Sequence, residues 1–175
     1  MVYHFQCELS DIDRQVYQTL DFRTAQHPSE TLTYLLTRVL AYALSYQDNL
    51  AFAPQGLHDP EAPALQAIGS YGAVELWIEV GNPSARKLHK AGKIAQKVLI
   101  FTYKNPEILM QEIQANDVHR QKDLVIISFD PAFLQKLEDD VQKKNRWNIL
   151  YQQGQLDIDT GLQQISTQVK RYGGV

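Results

Sequence analysis

The sequence has few of the residues that build disulfides, zinc sites and nucleotide sites. Its 175 residues include one cysteine, Cys7, which excludes an internal disulfide and a cysteine metal cluster. It predicts a buried thiol in a reducing compartment, with no disulfide-linked partner. The five histidines have no ligand spacing, and the chain lacks a Walker loop, GxGxxG, GxSxG, HExxH or paired CxxC. A zinc site is therefore not expected.

Long apolar runs and an excess of positive charge are also absent. No stretch reaches about 18 consecutive apolar residues. The first residues also lack a basic region followed by an apolar run, which a secretory signal would show, so we expect a soluble, cytoplasmic protein. The 17 Lys and Arg against 20 Asp and Glu give a net charge of −3. Nucleic acid can therefore be contacted only through a local basic patch. A length of 175 residues with 44% hydrophobic content fits one domain, residues 1–175.

The amino-terminal part predicts a β-hairpin followed by a helix. Apolar and polar residues alternate over 2–13 and 15–26, with Ser10–Asp13 as the turn between them. From Leu32 to Leu44 the apolar residues recur at three- and four-residue steps, which is typical of an amphipathic helix. The segment His27–Ser29 supplies its start signals.

The rest of the chain alternates between strands and helices. Residues 50–70 are rich in Pro, Gly and Ala and predict a loop that ends in a short strand. We expect strands over 64–68, 74–80, 97–103 and 123–130, helices over 84–96, 106–122 and 131–143, a hairpin around Gln153 and Gly154, and a last strand over 163–172. The fold predicted is α/β, a mixed central sheet flanked by helices with β additions at both ends.

The strand Val74–Val80 carries two carboxylates that the rest of the sequence must accommodate. Side chains alternate along a strand, so Glu75, Trp77 and Glu79 share one face. The two glutamates lie about 13 Å apart along it, too far for one metal ion. Glu79, beside the turn at Gly81–Pro83, is the better placed for a ligand site. The alternative is that both are solvent-exposed or paired with a lysine.

The helix that follows this strand is basic and has no acid near it. No Asp or Glu occurs from Val80 to Pro106. A helix folded back along the strand brings Lys87 or Lys90 near Glu79. The basic residues of this helix form a stripe, which is either a solvated helix face or a phosphate-binding surface. Its residues follow four-, three- and four-residue steps: Arg86, Lys90, Lys93 and Lys97. The predicted inner face is Leu88, Ala91, Ile94 and Ala95.

Several of these segments together resemble a known family. The sequences HPSET at 27–31, PEA at 60–62 and LWIEVGNP at 76–83 are followed by the basic ARKLHKA at 85–91. They resemble the YaeQ family of bacterial proteins, and the resemblance runs from the opening VYHFQ strand to the NILYQQGQLDI hairpin. That family is itself similar in fold to the PD-(D/E)XK nuclease superfamily.

The nuclease pattern has counterparts here, with two departures. The first-helix acid corresponds to Glu30, which also lies where a helix dipole favours a carboxylate. The Pro-Asp pair falls on Pro60 and Glu61, so glutamate replaces aspartate. The acid-x-Lys signature begins at Glu79 but ends at Gly81. A lysine from the neighbouring helix, Lys90 or alternatively Lys87, would replace the missing one.

The resemblance implies a metal-dependent phosphodiesterase acting on nucleic acid. Glu61 and Glu79 would hold Mg²⁺ or Mn²⁺, Lys90 would orient water or stabilise charge on the phosphate, and Glu30 would complete the metal's surroundings or a second metal site. The phosphate-binding residues would be Arg86, Lys87 and Lys93. The alternative is a non-enzymatic protein on the same scaffold, which binds nucleic acid or a protein partner through the basic helix and the loop at 54–63.

Overall fold

The computed structural model of the chain describes residues 1–54 and 56–173, which form two compact units. The first combines Met1–Leu44 with Phe129–Lys170, and the second combines Ser45–Ser128 with the described residues from Arg171 onward. Each unit contains one mixed β-sheet and, in its described part, two α-helices. The predicted α/β class with a mixed sheet flanked by helices is confirmed, but the β-strands at the two ends of the chain form a second mixed sheet where additions to one central sheet were predicted. A single domain over 1–175 stays a prediction.

The elements follow one another much as the sequence predicts. The longest of the described helices has 13 residues, and none is long and apolar enough to cross a membrane. In chain order they are β1 (Val2–Asp11), β2 (Val16–Ala25), α1 (Leu32–Leu44), β3 (Leu50–Phe52), β4 (Leu65–Ile68), β5 (Val74–Val80), α2 (Ala85–Ile94), β6 (Lys97–Thr102), α3 (Pro106–Ala115), β7 (Val125–Ser128), α4 (Pro131–Asp140), β8 (Lys144–Gln152), β9 (Gln155–Asp159), β10 (Gln164–Gln168) and β11 (Lys170–Gly173).

The sheet of the first unit is built from both ends of the chain. Its strand order is β10-β9-β8-β1-β2, and the hairpin of β1 and β2 is antiparallel, as predicted. Its turn lies at residues 12–15, two residues later than the predicted Ser10–Asp13, because β1 continues to Asp11. β1 also pairs in parallel with β8, with His4 opposite Lys144. Phe5 of β1 packs edge-on against Trp147 of β8, with ring centroids 5.1 Å apart. This parallel pair joins segments that lie 140 residues apart in the sequence.

Helix α1 begins later than the sequence predicts. The segment His27–Ser29 forms a turn ahead of the helix, and the hydroxyl of Thr31 accepts the backbone N–H of Tyr34, which caps the first turn. Glu30 therefore precedes the helix instead of lying in its first turn, so the expected dipole interaction is wrong.

The sheet of the second unit has the order β11-β7-β6-β5-β4-β3. β5, β6 and β7 run parallel, and α2 and α3 connect them, which explains their continuous apolar sequences. The predicted loop at 50–70 contains β3 and a 3₁₀ turn at Gly56–His58 before β4; Gln55 lies outside the described residues. The core of this unit includes Trp77, Leu88, Ala91, Val98, Ile100, Leu109 and Ile126.

The buried face of α2 differs in part from the predicted one. Ser84 caps the helix, as expected, but Ile94 is 48% exposed, so its predicted inner position is wrong. Gly92 is buried instead. A Cβ there would lie 2.5 Å from the carbonyl oxygen of His119, so the position has no room for a side chain. The absence of a side chain at Gly92 lets this helix pack closely on the segment before β7.

The predicted last strand is two strands that belong to different sheets. β10 is the edge of the sheet in the first unit, whereas β11 is the edge of the sheet in the second. Val169 separates them and is buried, with its N–H bonded to the carbonyl of Gly154 at 2.7 Å. A one-residue interruption without Gly or Pro gives no turn signal that sequence reasoning can detect.

Candidate functional site

The turn from β5 into α2 positions the predicted site residues. Gly81 has φ 87°, which glycine adopts readily, and its N–H donates to the carbonyl of Phe101 at 2.8 Å. The hydroxyl of Ser84 then accepts the N–H of Lys87 at 3.2 Å and starts the helix. Leu88 faces the core, so the first turns of α2 lie against the end of β5.

The turn that carries Glu61 lies at the same end of the sheet. β4 runs antiparallel to β5, with Leu65 opposite Ile78 and the N–H of Ala64 bonded to the carbonyl of Ile78 at 2.9 Å. Residues just before β4 therefore lie next to the carboxyl end of β5. This arrangement brings Glu61 and Glu79 to the same helix, α2.

Glu79 is buried and has two polar partners. Its residue is only 3% exposed. Oε1 lies 3.1 Å from Lys87 Nζ, and Oε2 accepts a hydrogen bond from Trp77 Nε1 at 2.6 Å. Burial raises the pKa of Glu79, and the charge of Lys87 and the Trp77 hydrogen bond act in the opposite direction. The cation that accompanies this buried carboxylate is thus Lys87, the alternative to Lys90.

Glu61 forms a more exposed ion-pair network. Its Oε1 accepts from Arg86 Nη2 at 2.6 Å and its Oε2 from Arg86 Nη1 at 3.2 Å, while Lys90 Nζ lies 3.5 Å from Oε2. The hydrogen bonds from Arg86 lower the pKa of Glu61 to about 2. Glu61 is therefore a permanent anion at neutral pH, beside two cations of α2.

Glu30, the third predicted acid, belongs to a separate pair in the first unit. Arg38 Nε donates to its Oε2 at 2.6 Å and Arg38 Nη2 to its Oε1 at 2.9 Å. The guanidinium also donates to Thr24 Oγ1 at 3.0 Å and to the Ala25 carbonyl at 3.3 Å. These bonds join β2 to α1, so Glu30 has a structural role. Its metal-binding role stays a prediction.

The carboxylates as arranged are already engaged by nitrogen groups of the chain itself. Carboxylate oxygens are the ligands that Mg²⁺ and Mn²⁺ prefer. Each of the four oxygens of Glu61 and Glu79, however, already accepts from or pairs with a nitrogen of Trp77, Arg86 or Lys87. In the described part of the chain, no three His, Cys, Asp or Glu side chains are grouped as metal ligands. A shared ion would have to replace these ion pairs, and it stays a prediction.

Comparison with known proteins assigns the chain to a family. A family model described as YaeQ protein matches residues 1–169. The chain belongs to the YaeQ family. This confirms the resemblance read from the sequence, while the likeness to PD-(D/E)XK nucleases stays a prediction.

Solved YaeQ structures have the same fold over the whole chain. The crystal structure of YaeQ protein from Xanthomonas axonopodis pv. citri is 27% identical, with TM-score 0.91, and the match covers 99% of this chain and 98% of that one. The YaeQ protein from Pseudomonas syringae is 28% identical, with TM-score 0.90, over 100% of this chain and 97% of that one.

Curated YaeQ relatives match over a shorter stretch. The uncharacterized protein YaeQ from Escherichia coli (strain K12) is 32% identical over 102 residues, and its Salmonella typhi counterpart is 30% identical over the same length. These residues are 58% of this chain and 56% of each relative. The match thus spans little more than half the length of the curated relatives.

The exposed cations of this YaeQ chain continue beyond α2. Lys93, near the end of the helix, and Lys97, the first residue of β6, are both exposed. The predicted helical stripe is therefore shorter than expected, because α2 ends at Ile94. We call Arg86, Lys90, Lys93 and Lys97 the α2 basic surface.

Two contributions to this YaeQ site were missed by sequence reasoning. Trp77 donates to Glu79, and the signal was present, because residues two apart on a strand share a face. Arg120 donates to the carbonyls of Gly92, Ala95 and Gln96 at 3.3, 2.9 and 3.0 Å. It thereby satisfies carbonyls at the end of α2 and just after it from 24 to 28 residues further along the chain, and no local pattern indicates these contacts.

Proposed function

We propose that the protein binds nucleic acid through the α2 basic surface and that this binding needs no metal ion. The observation that carries the proposal is the segment 81–105, which contains Arg86, Lys90, Lys93 and Lys97 and no Asp or Glu. Lys93 and Lys97 are exposed and available to phosphates. The structure of this surface thus supports the local patch that a chain of net charge −3 requires.

Phosphate contacts of this kind have a measurable signature. Each phosphate that a lysine or arginine neutralises releases counterions, so affinity falls with salt by a slope of about 0.9 per contact on duplex DNA. Lysine contacts to the backbone carry little sequence preference. We therefore expect salt-sensitive binding with weak sequence discrimination.

The proposal is tested by fluorescence anisotropy with labelled single-stranded and duplex DNA and RNA, in EDTA and at several salt concentrations. The double change Lys93→Glu and Lys97→Glu is expected to weaken binding about tenfold or more at low salt and to reduce the salt slope by about two. The matched control is Lys136→Glu with Lys143→Glu, which makes the same charge change on exposed lysines of the first unit. Equal losses in both variants, or no binding by the wild type, would refute the proposal.

A metal-dependent phosphodiesterase is the second candidate. The observation that favours it is the approach of both predicted acids to one helix, Glu79 to Lys87 and Glu61 to Lys90. Lys87 and Lys90 are three residues apart on α2 and so lie on adjacent turns of one side. An acid and a lysine at the carboxyl end of a strand are the pattern the nuclease resemblance implies, although the oxygens are engaged in ion pairs.

Cleavage assays separate the two candidates. Labelled single-stranded, duplex and branched DNA and RNA are incubated with Mg²⁺, Mn²⁺ or EDTA, using wild type and Glu79→Ala. Metal-dependent cleavage that disappears in the variant would establish the phosphodiesterase. Binding without cleavage on every substrate would favour the non-enzymatic protein.

A further inference from the structure

Glu61 engages Arg86 in the way that a phosphate would. The two bonds from Arg86, at 2.6 and 3.2 Å, form the parallel fork that guanidinium makes with carboxylates and phosphates alike. Lys90 lies four residues after Arg86 on α2 and approaches the same carboxylate at 3.5 Å. One arginine and one lysine thus surround a single anion that is supplied by the chain itself.

The contact is exposed enough to be exchanged. The side chains of Glu61, Arg86 and Lys90 are 42%, 71% and 41% exposed, in contrast to the buried Glu79. Exposed pairs of this kind contribute little to folding, because water and salt compete with them. A ligand anion in solution can therefore reach the same cations.

The position of Glu61 in the chain also suits a movable group. It lies in a short turn between the 3₁₀ turn at Gly56–His58 and β4, outside the strands and helices. The turn is held by the Glu61 N–H, which bonds to Asp59 Oδ1 at 2.9 Å, and by the Ala62 N–H, which bonds to the Asp59 carbonyl at 3.2 Å. Rotation of the Glu61 side chain away from Arg86 breaks neither of these bonds.

We propose that Arg86 and Lys90 form a phosphate-binding site that Glu61 closes, and that a phosphate of bound nucleic acid displaces the Glu61 carboxylate. The proposal rests on the proposed function and makes Glu61 an internal competitor in place of a metal ligand. Because the pKa of Glu61 is about 2, protonation does not open the site at any physiological pH. Displacement by a stronger anion is the remaining route.

The test is Glu61→Gln, which keeps the size of the side chain and removes its charge. The anisotropy assay is expected to show binding tightened roughly threefold to tenfold at low salt, with a steeper salt slope. The control Glu107→Gln removes one exposed charge from the first turn of α3 and is expected to leave the affinity near that of the wild type. In an Arg86→Gln background, the effect of Glu61→Gln is expected to shrink, because the fork has lost its donor.

The outcomes distinguish this inference from the proposed function. If Glu61→Gln binds like the wild type while Lys93→Glu with Lys97→Glu weakens binding, the closed site is wrong and the α2 basic surface stands. If Glu61→Gln and Glu107→Gln tighten binding equally, the effect is general charge and the closed site is again wrong. If neither the wild type nor Glu61→Gln binds, both proposals fail.

Discussion

The two units each contain a forked arginine–glutamate pair, but in opposite surroundings. In the first unit, Arg38 and Glu30 have side chains that are 10% and 1% exposed. In the second unit, Arg86 and Glu61 are 71% and 42% exposed. The shortest N–O distance is 2.6 Å in both pairs. The same contact therefore has different consequences, and burial decides which one applies.

Because the Arg38–Glu30 pair is buried, the stability of the fold depends on both partners. A buried charge that loses its partner remains away from water, so breaking such a pair is costly even when its net contribution to stability is small. Arg38 also donates to Thr24 and to the Ala25 carbonyl, and the His27 N–H donates to Glu30 at 3.1 Å. The exposed pair has water as a substitute for either partner.

The largest expected effect breaks the buried pair. Arg38→Ala leaves the Glu30 carboxylate buried without its cation and is expected to lower the free energy of unfolding by about 3–5 kcal/mol. The measurement is urea unfolding followed by circular dichroism. The matched change Arg86→Ala, at the exposed pair, is expected to leave the urea midpoint of unfolding unchanged. Similar midpoint shifts in the two variants would show that burial does not separate the pairs.

The next effect concerns the buried pair of the second unit. Lys87→Met leaves Glu79 with the Trp77 hydrogen bond but without its cation and is expected to cost about 3 kcal/mol near neutral pH. The raised pKa of Glu79 sets the sign of the pH dependence. The folded protein holds this proton more tightly than the unfolded chain, so the contribution of Glu79 is favourable below about pH 4.5 and is lost as pH rises.

Unfolding curves at acidic and neutral pH test this sign. Lys87→Met is expected to approach the stability of the wild type below pH 4.5 and to fall behind as pH rises. Glu79→Gln is the control, because it carries no titrating group at this position. A deficit of Lys87→Met that is independent of pH would contradict the ion-pair interpretation.

The smallest effect concerns the titration of the exposed Arg86–Glu61 pair and leaves the free energy of unfolding unchanged. Glu61 is expected to titrate below the ordinary range of a glutamate in the wild type and to move toward that range in Arg86→Gln. The measurement is the carboxyl carbon shift of Glu61 by NMR as a function of pH. A midpoint that stays low in Arg86→Gln would assign the shift to Lys90 or to the turn instead.

Local patterns account for the parts of the fold and site that sequence reasoning predicted. The Ser84 cap, the strand Val74–Val80 and the turn at Gly81 are encoded within a few neighbouring residues. A strand, a short turn and a returning helix were enough to expect a lysine of α2 beside Glu79. The choice between Lys87 and Lys90 depends on helix rotation, which the core residue Leu88 fixes only in the packed structure.

Contacts that form only in the folded chain could not be predicted from the sequence. Glu30 was expected at a helix start, because its partner Arg38, eight residues later, gives no pairing signal before the turn at 27–30 is known. Ile94 was placed inside by periodicity, which cannot detect that α2 ends there and that Arg120 binds the final carbonyls. Tertiary contacts decide each of these cases.

The parallel pairing of β1 with β8 has a consequence for the order of synthesis on the ribosome. The hairpin of β1 and β2 emerges first, yet the inner edge of β1 has no partner until Lys144–Gln152 have been made. Among the strands β3 to β7, which emerge in between, each pairs with the next one along the chain, and the other edge of β7 waits for β11. The nascent chain therefore carries an unpaired strand edge through most of its elongation, the period when aggregation and chaperone capture are most favoured.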